Sequence, residues 1–239
     1  MKVLQSSKVL NKMVTSGITL DPSGNQKNIH SGIRPPEMEA LYTTIIKAKP
    51  NTVIEVGMAY GISTLAILTA LRDLGGKRKL ISIDPFQETV WNNCALESIR
   101  RDNLQDLHEH VSEMSCIALP ELLKSGVCIE LGYIDGWHTF DYALLDFWYL
   151  DRMLLAGGII GVNDCGYPAV HKMLHFIKSH RRYCEIAVGL SHNCFKILAK
   201  AALGTLKGYP PSISFRKYHD RYFRKIEVWE PNYDFFRNF

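Results

Sequence analysis

The chain has 239 residues, 46% of them hydrophobic and 22% charged, and a formal net charge of +4. That balance excludes a disordered chain, and so small a positive excess tolerates an anionic substrate without pointing to nucleic acid. The longest apolar run, Met153 to Val162, is far short of the roughly 20 residues that span a bilayer. Met1 to Asn11 lacks the apolar stretch of a secretory signal, so a soluble, cytoplasmic protein with no membrane partner is expected.

Met1 to about Ser31 is polar and carries a turn signal, Asp21-Pro-Ser-Gly24, rather than an element. Arg34-Pro35-Pro36-Glu37 opens a helix through Lys47, with proline at its start, where a missing N–H costs nothing. Thr52–Val56 reads as a buried strand that runs through a turn with Gly57 and Gly61 into an apolar-faced helix, Leu65 to Leu71. A second strand, Leu80–Ile83, ends on Asp84, about twenty residues after Gly61. A helix near Thr89–Asp102, a weak strand near Glu109–Ser112 and a helix around Leu119–Lys124 follow. Cys128–Ile134 is the fourth strand, Thr139–Leu155 a helix, Ile159–Val162 the fifth strand and Ala169–Ser179 a helix. Glu185–Gly189 and Asn193–Leu198 read as an antiparallel hairpin at the sheet edge, turning through Leu190-Ser191-His192. The sum is a Rossmann-like, doubly wound α/β sheet of seven strands, mostly parallel with one antiparallel edge strand and helices on both faces. Residues 1–199 form the expected catalytic domain, with 1–48 as a cap over substrate and cofactor, and 200–239 an aromatic and basic extension.

The first strand, its glycine turn and the strand-tip acid make the layout of a nucleotide-type site. Glycines let the backbone approach a ligand, a helix N-terminus offers free N–H groups, and Asp84 is placed to grip ribose hydroxyls. The spacing is Gly-x-x-x-Gly preceded by Glu55, not the Gly-x-Gly-x-x-Gly of dinucleotide binders. It suits S-adenosylmethionine (SAM), whose charged end is an ammonium beside a carboxylate rather than a pyrophosphate.

Four segments, each at a strand tip, carry a resemblance: Glu55-Val-Gly-Met-Ala-Tyr-Gly-Ile-Ser63, Ile83-Asp-Pro-Phe86, Tyr133-Ile-Asp135-Gly-Trp-His138-Thr-Phe-Asp-Tyr142, and Leu155-Ala-Gly-Gly158 followed by Asn163-Asp164. From about His30 to Ala199 the chain resembles the class I SAM-dependent methyltransferases, and within them the catechol-type and macrocin-type O-methyltransferases. The resemblance implies that Glu55 holds the methionine ammonium through backbone or water and that the Gly57, Met58, Ala59 and Gly61 backbone lies against the cofactor. It further implies that Ser63 donates to the carboxylate and Ser115 contacts the adenine, with Asp135 also at the cofactor. In metal-dependent relatives, acids at the two following strand tips hold Mg²⁺, which would make Asp135, Asn163 and Asp164 the ligands here. The second pair here reads Asn-Asp where the catechol enzymes have Asp-Asn, and an amide stands in this chain where the macrocin-type enzymes have their third acidic ligand, which leaves a metal-free site open.

Methyl transfer to a hydroxyl needs a base or a metal to make the oxygen electron-rich. His138, one turn beyond Asp135, is the expected base, although it could instead orient Asp135 or the cofactor; Asp135 and Asp164 could equally cap the helices that follow. Trp137 and Tyr167-Pro168 are candidate walls of the substrate or adenine site. His171 and His175 lie on one helix face, the Ala169–Ser179 segment offers them no acid, and they read as solvated or capping histidines rather than a metal pair. Six cysteines with no C-x-x-C pair read as reduced thiols. The expected function is O-methylation of a small-molecule hydroxyl, such as a sugar or secondary metabolite. A metal-independent N- or O-methyltransferase using His138 is the alternative; a nicotinamide-dependent oxidoreductase, which lacks its fingerprint here, and a non-catalytic binding protein are remote. The aromatics Tyr222, Phe223, Trp229 and Phe235 are expected to pack on the domain or on a twofold mate in a homodimer.

Overall fold

The computed structural model describes residues 1–190, 194–208 and 219–239. The turn through Leu190-Ser191-His192 lies partly, and the stretch from Tyr209 to Tyr218 wholly, outside the described residues. In chain order the elements are α1 Lys2–Ser6, α2 Lys8–Ser16, β1 Ile18–Leu20, β2 Gln26–Asn28, α3 Pro35–Ala48, β3 Thr52–Val56, α4 Ile62–Leu74, β4 Lys79–Ile83 and α5 Cys94–Arg101. They continue with β5 His108–Val111, α6 Ser115–Lys124, β6 Ile129–Ile134, α7 Phe140–Met153, β7 Leu154–Val162, α8 Pro168–His180, β8 Tyr183–Ile186, α9 Cys194–Leu206 and β9 Arg221–Lys225.

Seven strands form one sheet in the order β5-β4-β3-β6-β7-β9-β8. Strands β3 to β7 pair in parallel, and β9 runs antiparallel to both β7 and β8. Successive strand residues point to opposite faces, so Val53, Leu80 and Tyr133 enter a cluster with α1 to α4, while Ile54, Ile81 and Ile134 join α6 to α8. Both faces are covered, which is why these strands read as continuous apolar runs. From β3 the chain winds outward to β5 and then returns to place β6 on the other side of β3. That reversal opens a crevice beyond the carboxyl ends of β3 and β6, where ligands of open α/β sheets bind.

Two expectations need correction. The antiparallel strand is β9, and it lies inside the sheet with β8 at the edge, rather than being the edge itself. Of the expected hairpin only the first arm is a strand, Tyr183–Ile186; residues 194–198 open α9 instead. A short apolar run satisfies helical and strand periodicity alike, and length decides between them. Strand β9 was hidden by Arg221, Arg224 and Lys225, which resemble a solvated basic tail. Its apolar pair divides between the two cores, Tyr222 to one and Phe223 to the other. Its two buried cations are matched: Arg221 Nε donates to Glu185 at 2.7 Å, and Lys225 Nζ lies 3.0 Å from Asp151.

The N-terminal segment also holds more structure than its polarity suggests. Ser7 caps α2 by accepting from the Leu10 N–H at 3.0 Å, and Val3, Leu10 and Met13 bury a narrow apolar stripe against the domain. The expected turn at Asp21–Gly24 joins β1 to β2, its aspartate accepting the N–H groups of Ser23 and Asn25.

Candidate active site

The carboxyl ends of β3, β4, β6 and β7 enclose a cleft of about 870 Å³. Its first wall is the turn from β3 into α4. Gly57 has φ +88°, and a Cβ there would meet the Asp135 carbonyl oxygen at 2.1 Å. Gly61, φ +84°, passes so close to Ala95 that a Cβ would lie 2.8 Å from its methyl group. Glycine is required at both points, first to bring two strand tips together and then to start α4 over α5. Gly57, Met58, Ala59 and Ser63 all line the cleft.

Asp84 lines the cleft too, but its carboxylate already braces the turn. Oδ2 accepts from the N–H groups of Met58 and Ala59 at 3.0 Å each and from Gln87 Nε2 at 3.2 Å, while Oδ1 accepts from the Phe86 N–H at 2.8 Å. Glu55 lies below the cleft floor, wholly buried, its Oε2 accepting from Thr64 and Ser82 hydroxyls at 2.8 Å each. Burial pushes its carboxyl up to about 7, against the pull of the Ser63, Thr64 and Ser82 hydroxyls. Its Oε1 has no partner among the described residues.

At the far end, Ser115 opens α6 and faces the cleft beside Met114, Phe86 and Trp137, the last two rings meeting edge to face at 6.2 Å. Behind it, Asp146 of α7 is fully buried with neither oxygen well bonded among the described residues. Burial raises its carboxyl to about 7, with the Ser115 hydroxyl as the opposing influence.

The second wall carries the reactive groups. Asp135 and Asp164, at the tips of β6 and β7, and His138 in the loop between offer ligand atoms that all lie within 4.8 Å of one another. His138 Nε2 is 3.0 Å from Asp164 Oδ2 and 4.0 Å from Asp135 Oδ1, without the alignment of a hydrogen bond to either. Its ring stacks on Tyr167 at 4.8 Å between centroids. Burial, then the neighbouring Asp164, Asp220, Glu55 and Glu37, drives the Asp135 carboxyl well above the ordinary range. Such repulsion is relieved by a proton or by a cation. Tyr167 and Pro168 line the rim, whereas His171 and His175 contact each other, Nε2 to Nε2 at 3.1 Å, outside the cleft lining.

Asn163 lines the cleft, but its Nδ2 donates to Asp220 Oδ1 at 2.8 Å. Asp220 comes from the residues just before β9, and its Oδ2 accepts from the Tyr133 hydroxyl at 2.7 Å. Burial, followed by Glu37 and Asp164, raises its carboxyl to about 8. Arg34 and Glu37, bound to each other at the start of α3, close the rim. In the sequence these two signal only a helix start, and Asp220 carries no local signal: its partners are 57 and 87 residues away. The five cysteines whose side chains are described are free thiols. No helix among the described residues is long and apolar enough to cross a membrane.

Residues 54–165 match the family model of a methyltransferase domain. No curated protein matches the chain. Among solved structures, an O-methyltransferase from Bacillus cereus in complex with SAH superposes with a TM-score of 0.65 at 12% identity, over 94% of this chain and 91% of its own. A putative O-methyltransferase from Klebsiella pneumoniae gives 0.65 at 12% identity over 95% and 91%. A SAH-bound methyltransferase of Podospora anserina gives 0.61 at 14% identity over 94% and 92%.

Proposed function

We propose that this chain, a class I SAM-dependent methyltransferase, methylates a hydroxyl oxygen of a small molecule at the Asp135–His138–Asp164 centre. The observation that carries this reading is that one cleft joins the Gly57–Gly61 turn to that centre. The O-methyltransferases of like fold agree with an oxygen acceptor.

SAM would lie along the glycine turn with its methionine end over Ser63 and the N-terminus of α4, whose first N–H groups suit a carboxylate. Asp84 would meet the ribose by giving up part of its hold on the turn. Adenine would sit between Ser115, Phe86 and Trp137, where aromatic faces offer stacking. The methyl group would then be presented to the second wall. There His138 takes the hydroxyl proton, the oxygen attacks the methyl carbon in line with the S–C bond, and that bond's electron pair passes to sulfur. An ether and SAH leave. Asp164 would steady the imidazolium so formed.

The donor set fits a divalent cation: two carboxylates and an imidazole whose ligand atoms already cluster, beside the amide of Asn163. When bound there by Asp135 and Asp164, such an ion lowers the pKa of the substrate hydroxyl. The contact of His138 with Asp164 favours a second reading, a base and its counter-charge acting without metal. Calorimetric titration with SAM, SAH and NAD, with and without Mg²⁺, should give binding of the first two only. With an acceptor found by screening methyl-labelled SAM, His138→Ala should lower turnover by about 10²–10⁴-fold, most severely near neutral pH. Loss of turnover in EDTA with SAM affinity intact supports the metal reading; full turnover there retires it.

A further inference from the structure

We infer that Asp220 is a positioning residue of this centre: it holds the Asn163 amide with its nitrogen turned inward, so that Oδ1 is the atom presented to the cleft beside Asp135 and Asp164. The inference rests on the divalent-cation reading given above and extends it to a residue far away in sequence.

Asn163 is fixed by its backbone at the tip of β7, its N–H donating to the Ile134 carbonyl at 2.9 Å. Its side chain is 8% exposed and lies in the cleft wall. Nothing in the residue itself decides which end of the amide faces the cleft, because oxygen and nitrogen have the same shape. The partner decides. Asn163 Nδ2 donates to Asp220 Oδ1 at 2.8 Å, which leaves Asn163 Oδ1 as the end of the amide turned the other way. The Tyr133 hydroxyl, donated to Asp220 Oδ2 at 2.7 Å, fixes the other half of the carboxylate. Asp220 is itself 3% exposed, so water does not compete for these bonds. It is thus pinned from β6 and β7 at once, and its own backbone leads directly into β9.

Amide polarity matters because of what lies opposite. An oxygen turned toward two carboxylates that share a small cation adds a neutral ligand. The overturned amide would aim two N–H groups at the same cation and repel it. Asp220 therefore selects, without touching the ion, between an added ligand and an obstacle.

Asp220→Asn keeps the shape and puts an NH₂ group in place of one carboxyl oxygen, and the new amide at position 220 can donate to Asn163 Oδ1 and turn that side chain over. Binding of Mn²⁺ and Mg²⁺, followed by calorimetry, should weaken about 10–100-fold, as supporting partners of metal ligands typically give. SAM affinity, measured on the same samples, should not change. The exchanged pair, Asn163→Asp with Asp220→Asn, keeps the donor at 220 but sets it against a side chain that has only oxygens, so an oxygen again faces the cleft, and it should recover most of the cation affinity. Circular dichroism and melting temperature establish that each variant is folded. Unchanged cation affinity in folded Asp220→Asn, or an exchanged pair as weak as the single variant, overturns the inference. If the unaltered protein binds neither cation, the metal reading falls and this role with it, while SAM binding in the same titration leaves the cofactor reading standing.

Discussion

Gly57 sits where the geometry of the cleft has least room. A methyl group there would meet the Asp135 carbonyl oxygen at 2.1 Å in a backbone with φ +88°, so Gly57→Ala must move the tips of β3 and β6 apart. The expected result is loss of SAM binding together with destabilisation on the order of 2 kcal/mol or more, checked by calorimetry and thermal melting. Asp146 offers a prediction of a different kind. Burial raises its carboxyl to about 7 in the folded chain, so the unfolded chain gives up the proton first. Stability is therefore lost as pH rises from about 4, the ordinary value, through about 7, and is level above that. Asp146→Asn removes this titration. Its stability relative to the parent should climb across that window, by at most on the order of 4 kcal/mol, as read from denaturant midpoints at several pH values. A gap independent of pH would show that Asp146 stays ionised. At this scale most of the residues singled out from the sequence line the cleft, because strand, glycine turn and strand-tip acid are local patterns, whereas Glu55 and Gly61 lie outside its lining. The sequence did not reveal that Asp84 spends its oxygens on the turn, since the N–H groups of Met58 and Ala59 acquire that role only when β3 and β4 lie side by side.

Among the elements, β9 is the one that local pattern could not find. Its pentapeptide Arg221–Lys225 carries three cations; Arg224 is exposed, and the pairing of Arg221 with Glu185 and of Lys225 with Asp151 makes the other two compatible with burial. Those partners are 36 and 74 residues distant, beyond the reach of periodicity. Strands β3 to β7 were legible for the opposite reason, as apolar runs bounded by turns. The placement of β9 sharpens what truncation should do. A chain ending at Lys207 loses the strand that joins β7 to β8, uncovering an apolar sheet edge and leaving Asp151 without Lys225. Such a chain should aggregate or lose cooperative melting, as seen by light scattering and calorimetry. A soluble truncated form with an unaltered melting curve would mean that β9 contributes little to the sheet.

For the molecule as a whole, chemistry and architecture meet in the segment that contains Asp220 and β9. The cleft draws on α3, four strand tips and this late segment, so the centre is complete only when the sheet is. The consequence is one of timing. During synthesis, β8 at residues 183–186 leaves the ribosome with no strand beside it, because β9, at residues 221–225, must still be translated. Until then β7 keeps an open edge and β8 waits unpaired, a state in which nascent chains invite wrong pairing and chaperone capture. Closure then requires a late strand to slide between two earlier ones, an event of high contact order and hence slow. The glycine turn can form long before. A growing chain thus acquires the shape of a cofactor pocket first and its Asn163–Asp220 contact last.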